Sequence, residues 1–365
     1  MSYALAFLGF AALIILHEAG HFVAAKAVGM RVERFSLFFG PLLVKTRRGE
    51  TEYGIGPIPL GGYVRITGMN PHEEIPPEAV PRAYYNQSVW KRVVVILAGP
   101  AVNLLIAALL LIGIFWSQGV ITTRHGQPVY SRTVAAGSLE PPAARYLRAG
   151  DQIVGVDGRR DLNTDQITAQ ISSHRCAGTP VAGCQASTPA RLLVRRGSSL
   201  LEFSIYPRYD AVAKRMRIGV AFGAQVQSLG PAGAARESVS QMWYVTHSTV
   251  TTIARLFEPK ERSQLHGVVG GFKITQQRFA FDTTEALYTL ALISLSLAVV
   301  NLFPFLPLDG GHVFWALAEK VRGRRISFQV MERASAVGFV LIVIVFVVGL
   351  SNDITTLSGH GFPTR

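Results

Sequence analysis

Charge is scarce in this chain: Asp, Glu, Lys and Arg make up 16% of its 365 residues, against 49% hydrophobic residues. Almost none of that charge falls in four apolar runs, near residues 3–29, 93–116, 286–307 and 334–351. An ordinary water-soluble domain is excluded, because runs of this length match the roughly 20 residues a helix needs to cross a bilayer. Cysteine is scarcer still. Cys176 and Cys184 are the only two, and with the neighbouring His174 they lack the fourth ligand of a closed zinc site. As an even pair in CAGTPVAGC they are expected to form a disulfide that closes a loop. The first apolar run has no basic segment ahead of it and continues through FVAAKAVG, so it reads as a retained span rather than a signal peptide. No nucleic-acid motif accompanies the formal net charge of +13, which points to membrane lipid with anionic head groups and away from nucleic acid.

Against that background the first run holds LHEAGH at residues 16–21. Residues four apart share one face of an α-helix, so His17 and His21 can point at a single ion with Glu18 beside them. This is the HExxH spacing of zinc sites. Neutral imidazoles suit Zn2+, and the carboxylate can take a proton from a water that the metal activates and pass it on. Ionisable groups inside a span are costly, so their presence marks a functional site by default. At ~1.5 Å rise per residue His17 lies about 21 Å from the start of the helix, nearer the far face of the bilayer.

A catalytic zinc site needs a third protein ligand. The continuation HFVAAKAVGM has neither the glycine nor the histidine of the extended metzincin pattern, and Glu33 falls beyond the end of the span. The other intramembrane candidate is Asp309 in NLFPFLPLDGGH, at the end of the third run. Pro304 and Pro307 break the helix there, and Gly310 and Gly311 let the backbone bend close to another element. His312 is a weaker candidate for the same place.

Orientation follows from the short connections. Residues 31–92 carry nine Lys/Arg against six Asp/Glu, and residues 308–333 carry five against three, which assigns both to the cytoplasm. Both termini and the long segment 117–285 are then external; the basic excess of that segment does not count, since long domains translocate regardless of charge. The metal site falls near the cytoplasmic side.

HEAGH in a first span and NLFPFLPLDGGH in a third resemble the site-2 protease family of intramembrane zinc metalloproteases, and the resemblance covers nearly the whole chain. YGIGPIPLGGYVRITGM at 53–69 is similar to the family's membrane-associated β-hairpin, and LAGPAVNLLIA at 97–107 to the start of its second span. The resemblance implies His17, His21 and Asp309 as zinc ligands, Glu18 as acid and base, and Asn301 beside the substrate. Asn103 is a further candidate substrate contact. Ser296 stands where several relatives carry a second asparagine, and HGVVGGFKIT at 266–275 resembles a family GPVG stretch with valine in place of proline.

The expected fold is a polytopic α-helical membrane protein of about four transmembrane helices, with a membrane-associated β-hairpin and an inserted extracytoplasmic PDZ-like α+β domain. Its expected parts are a first span at 1–30, a cytoplasmic loop with the hairpin at 31–92 and a second span at 93–116. The PDZ-like domain follows at 117–225, then an amphipathic helix and return segment at 226–285, a third span at 286–307, a cytoplasmic loop at 308–333, a fourth span at 334–351 and an external tail at 352–365. In the hairpin, YGIGPIPL and YVRIT are joined by Gly61-Gly62, with Pro57 and Pro59 confining the first run to an edge where a substrate strand could add. RAGDQIVGVDGRR, a helix-like LNTDQITAQISS and the strands ARLLVRRG and LLEFSIYP give the external module a single PDZ-like order.

The function implied is regulated intramembrane proteolysis of a single-span membrane protein, already trimmed outside by another protease. An anti-sigma factor and a remnant signal peptide are the candidate substrates, in a bacterial inner membrane. Two other classes fit the sequence less well. A catalytically silent PDZ scaffold has no need of an intact Glu18 and ligand set, and a metal transporter would spread ionisable residues over several spans.

Overall fold

The structure is a computed structural model that describes residues 1–69, 73–124, 127–255, 258, 267–324 and 326–358. Among the described residues the α-helices are α1 (Ser2–Ala27), α2 (Val89–Gln118), α3 (Thr164–Ser172), α4 (Pro231–Ala254), α5 (Val268–Phe281), α6 (Thr283–Asn301), α7 (Asp309–Arg322) and α8 (Phe328–Ser358). Four of these stretches are long and apolar enough to cross a membrane: α1, α2, α6 and residues 329–358 of α8. The chain divides into two compact units, residues 1–117 with 230–365, and residues 118–229.

In the first unit, α1 runs for 26 residues without proline and keeps large apolar side chains such as Tyr3, Phe7, Leu8 and Val23 on its outside. That pattern suits lipid, where an apolar side chain loses nothing by exposure. α5 packs on its start through the Phe10 and Phe272 rings, which meet at a tilt of 52°, and a Gln276 to Ser2 hydrogen bond of 3.0 Å. α5 is anchored at its other side by α8, whose buried Asp353 accepts from the backbone N–H groups of Gly267 (3.1 Å) and Gly270 (2.7 Å). Such a buried carboxylate takes up donors that a helix N-terminus leaves open, which would otherwise go unpaired away from water.

Between α1 and α2 lies a four-stranded sheet built from β1 (Val32–Phe39), β2 (Val44–Arg48), β3 (Thr51–Ile55) and β4 (Ile58–Ile66), in the order β2-β3-β1-β4. The structure does not form the hairpin expected around Gly61-Gly62. β2 and β3 form the antiparallel hairpin, β3 then runs parallel to β1, and β4 pairs antiparallel on the other side of β1, with Leu37 opposite Gly62. Gly61 and Gly62 are therefore inside a strand. The signal misread as a turn reflects close approach: a side chain on Gly61 would strike the Phe39 ring, and one on Gly62 would meet Glu18 and Ile14 of α1. β4 remains an edge, as Pro59 requires. The hairpin turn is tied down by Glu50, which accepts from Lys26 at the end of α1 (2.6 Å) and from Arg82 (2.7 and 2.8 Å). The Arg82 guanidinium, assisted by Lys26, holds the Glu50 carboxyl at about 2, well below its ordinary 4.5.

The third span also ends earlier than its apolar run. α6 stops at Asn301, and the remainder, through Pro304 and Pro307, is a connector that delivers the chain to α7. Most of the expected cytoplasmic loop 308–333 is thus the amphipathic helix α7, with Ala316 buried and Phe314, Leu317 and Val321 exposed. Of the expected external tail, α8 takes up residues to Ser358 and 359–365 lie outside the described residues, as do Asn70 to His72 and His266.

The second unit has its own core of Val134, Leu147, Ile153, Ile167, Leu192 and Ile205, among others. Its main sheet orders strands Ser199–Ile205, Ala190–Arg196, Gln152–Val156, Tyr130–Val134 and Phe222–Ala224, and α3 packs against it behind an Asn163–Gln166 capping box. The unit's first and last strands pair with each other, Val120 opposite Gln227, so its two ends meet as an insertion requires. Cys176 and Cys184 are joined in a disulfide with their Cα atoms 6.2 Å apart.

Candidate active site

The α1 and α2 helices come into close contact at Gly20 and Gly99. A methyl on Gly20 would lie 2.6 Å from the Ala98 carbonyl, and one on Gly99 would overlap the His21 ring. Small residues at a crossing let two backbones meet without a hydrophobic drive, which a membrane does not provide. The crossing buries His17 and His21, each 7% exposed, one turn apart on the same face of α1. α7 brings the third group. Its first residue is Asp309, and Gly310 and Gly311 allow this first turn to lie directly on the backbone of Leu302 to Leu306, where any side chain would clash. At its far end α7 is held to α2 by the buried Arg92, which donates to Glu319 at 2.9 Å.

The three side chains converge. His17 Nε2 and His21 Nε2 are 3.2 Å apart, and each lies 3.3 Å from Asp309 Oδ2. Four ligands about 2.0–2.1 Å from a zinc ion at tetrahedral angles are spaced about 3.3–3.4 Å from one another, so this triangle is one face of that tetrahedron. Asp309 Oδ2 is buried without a hydrogen-bond partner, an arrangement that costs free energy unless a cation faces it. The donor set and its spacing therefore fit zinc. Among the described residues, these three are the group able to hold a metal ion. His312, the other sequence candidate, lies one turn on and sets its ring edge-on to Tyr84.

Surrounding groups come from several elements. His21 Nδ1 is 2.8 Å from the Val95 carbonyl of α2, to which it donates, leaving Nε2 free for a metal. Asn103, two turns further along the same face of α2, is 0% exposed and sits 3.1 Å from His17 Nδ1. It is enclosed between the helices, with its amide turned to the His17 ring. Asn301, at the end of α6, places its amide 3.4 Å from His17 Nε2, on the side of the three ligands. Glu18 lies beside them against β4, its Cγ 3.0 Å from where a side chain on Gly62 would begin. Gly99 and the Val95 carbonyl escaped sequence reasoning. For Gly99 the available signal was a glycine inside a span, which admits a neighbour; the Val95 carbonyl left none.

The sequence model of Peptidase family M50 matches residues 5–345. The chain belongs to this peptidase family. M50 is the site-2 protease family that its motifs resemble, and similar members include the zinc metalloprotease Rip1 of Mycobacterium tuberculosis, 31% identical over 92% of this chain and 91% of the relative. The Rip1 of Mycolicibacterium smegmatis is 30% identical over 89% of this chain and 87% of its own length. As an M50 peptidase with a ligand triangle that fits zinc, the chain is a zinc metalloprotease.

Proposed function

We propose that the chain is an intramembrane endopeptidase that cuts single-span membrane proteins, with His17, His21 and Asp309 as metal ligands. The observation that carries this reading is the triangle of ligand atoms with Glu18 beside it and the edge strand β4 running past. Zinc, when bound, supplies a Lewis acid that polarises the scissile carbonyl and activates water. Glu18 takes the proton of the attacking water and returns it to the leaving amine. The amide of Asn301 is near enough to this point to bond the substrate backbone, which favours it as a positioning group.

A helical substrate hides its carbonyls in intrahelical hydrogen bonds. Pairing with the outer side of β4, which no strand covers among the described residues, would hold the substrate extended beside Glu18. Gly61 and Gly62 keep that stretch of strand low enough for a backbone to pass. With residues 31–92 and 308–333 cytoplasmic, the site lies near the inner face of a bacterial inner membrane and the unit 118–229 lies outside. We read that unit as a PDZ-like filter that admits substrates already trimmed by another protease, such as an anti-sigma factor or a remnant signal peptide. Support comes from a groove beside its edge strand Phe222–Ala224, lined by Thr168 and Ile171 of α3 and by Met216 and Ile218.

The test is cleavage of a single-span substrate tagged at both ends, by purified protein in detergent. A chelator should stop cleavage and zinc restore it. Undiminished cleavage by the Glu18→Gln variant would remove this reading.

A further inference from the structure

Asn103 raises a question of hydrogen-bond chemistry. As placed, its amide nitrogen Nδ2 faces His17 Nδ1 at 3.1 Å, while its Oδ1 is buried without a partner. A His17 that offers Nε2 to a metal carries its proton on Nδ1, and two N–H groups cannot bond each other. Carbonyl and amino ends of an asparagine have nearly the same shape, so turning the amide over costs no space. It would put Oδ1 where His17 Nδ1–H can donate to it. Either orientation leaves one end of the amide unpaired among the described residues, so what His17 requires decides between them.

We propose that Asn103 is a positioning residue for the metal site: its Oδ1 accepts the Nδ1–H of His17 when metal is bound, fixing the tautomer and the ring plane. One face of α2 then serves both histidines, the Val95 carbonyl for His21 and, eight residues on, the Asn103 carbonyl oxygen for His17. The two acceptors differ in kind. Val95 presents a backbone group that no substitution removes, whereas the His17 partner is a side chain and can be tested. One contact between the helices is independent of that side chain: Ser294 of α6 donates to the backbone carbonyl of Asn103 at 2.9 Å. The inference rests on the reading of His17 as a ligand.

Zinc affinity, measured by competition with a chromogenic chelator on the full-length protein in detergent, separates the possibilities. Asn103→Leu keeps the size and removes the acceptor, and should weaken zinc binding by about 10–100-fold. Asn103→Asp keeps an acceptor oxygen and should stay within a few-fold of the parent. Wild-type affinity in Asn103→Leu, or equal losses in the Leu and Asp variants, would overturn the proposal. Should either variant fail to fold, the wild-type protein loaded with zinc and labelled with 15N-histidine gives a second reading. It should show slowly exchanging Nδ1–H signals from both His17 and His21, and rapid exchange at His17 alone would overturn the assignment. Zinc retained by His17→Ala would instead count against the ligand reading itself.

Discussion

Gly99 is where one methyl group should separate folding from metal binding. A carbon added there would lie 2.6 Å from Cε1 and 2.7 Å from Cδ2 of His21. Carbon atoms in contact sit ~3.5–4.0 Å apart, so the ring and α2 would have to part by about 1 Å. The ring is poorly placed to yield, being 7% exposed and bonded through Nδ1 to Val95 of the same helix. Metal ligands tolerate displacements of only about 0.2 Å. Overpacking of this kind costs about 1–3 kcal/mol, a loss the fold can survive. Losing a supporting hydrogen bond already weakens metal binding about 10–100-fold, so moving the ligand itself in Gly99→Ala should exceed about 100-fold. Zinc content by mass spectrometry, thermal unfolding and cleavage of a tagged single-span substrate would be measured together. Gly113→Ala is the control on the same helix: nothing lies within 4 Å of the added carbon, and stability should hold or rise by up to about 1 kcal/mol. Stoichiometric zinc with normal cleavage in Gly99→Ala would refute the close crossing on which the site depends.

Further outcomes follow from the same geometry. Glu18→Gln should keep zinc and lose cleavage by several orders of magnitude, whereas Asp309→Asn should lose both, as metal analysis beside the cleavage assay would show. Full zinc occupancy in the Asp309 variant would place the third ligand elsewhere. A membrane-impermeant thiol reagent applied to intact cells should label Cys176 and Cys184 only after reduction; labelling without reductant would contradict the disulfide. Deleting residues 125–222 should allow cleavage of untrimmed substrate, and unchanged dependence on trimming would count against a filter. Glu50 is depressed in the folded state to about 2, so its contribution is present above its ordinary 4.5 and fades as pH falls towards 2. Solvent screening limits that contribution to about 1 kcal/mol, read as a thermal-stability gap between wild type and Glu50→Gln at neutral pH that closes on acidification.

The chemistry of the site is legible in the sequence alone. His17, Glu18 and His21 share one helix, so their juxtaposition depends only on a local repeat of 3.6 residues per turn. The four spans are legible for a similar reason, since bilayer thickness imposes a length on each apolar run. Less is visible at the sheet. Gly61-Gly62 reads as a turn from local propensity, yet these glycines lie within β4 because the strand must pass the Phe39 ring and Glu18. Which strands pair is a long-range choice, and the β2-β3-β1-β4 order follows from packing against α1 that no short window contains.

Residue types and local spacing supply the inventory: two histidines and a glutamate at helical spacing, an aspartate after a proline-broken span, and enough apolar length for a membrane. Only the tertiary structure shows which candidate stands with the two histidines. Asp309 and His312 stand three residues apart on the same helix, and only the fold of α7 onto the connector aims the first at the histidines and the second at Tyr84. It also decided what supports the ligands, because the roles of Val95, Gly99 and Asn103 exist only where α2 crosses α1. Ligand chemistry belongs to residue types and local spacing, whereas convergence to within about 0.2 Å belongs to packing between helices far apart in the chain.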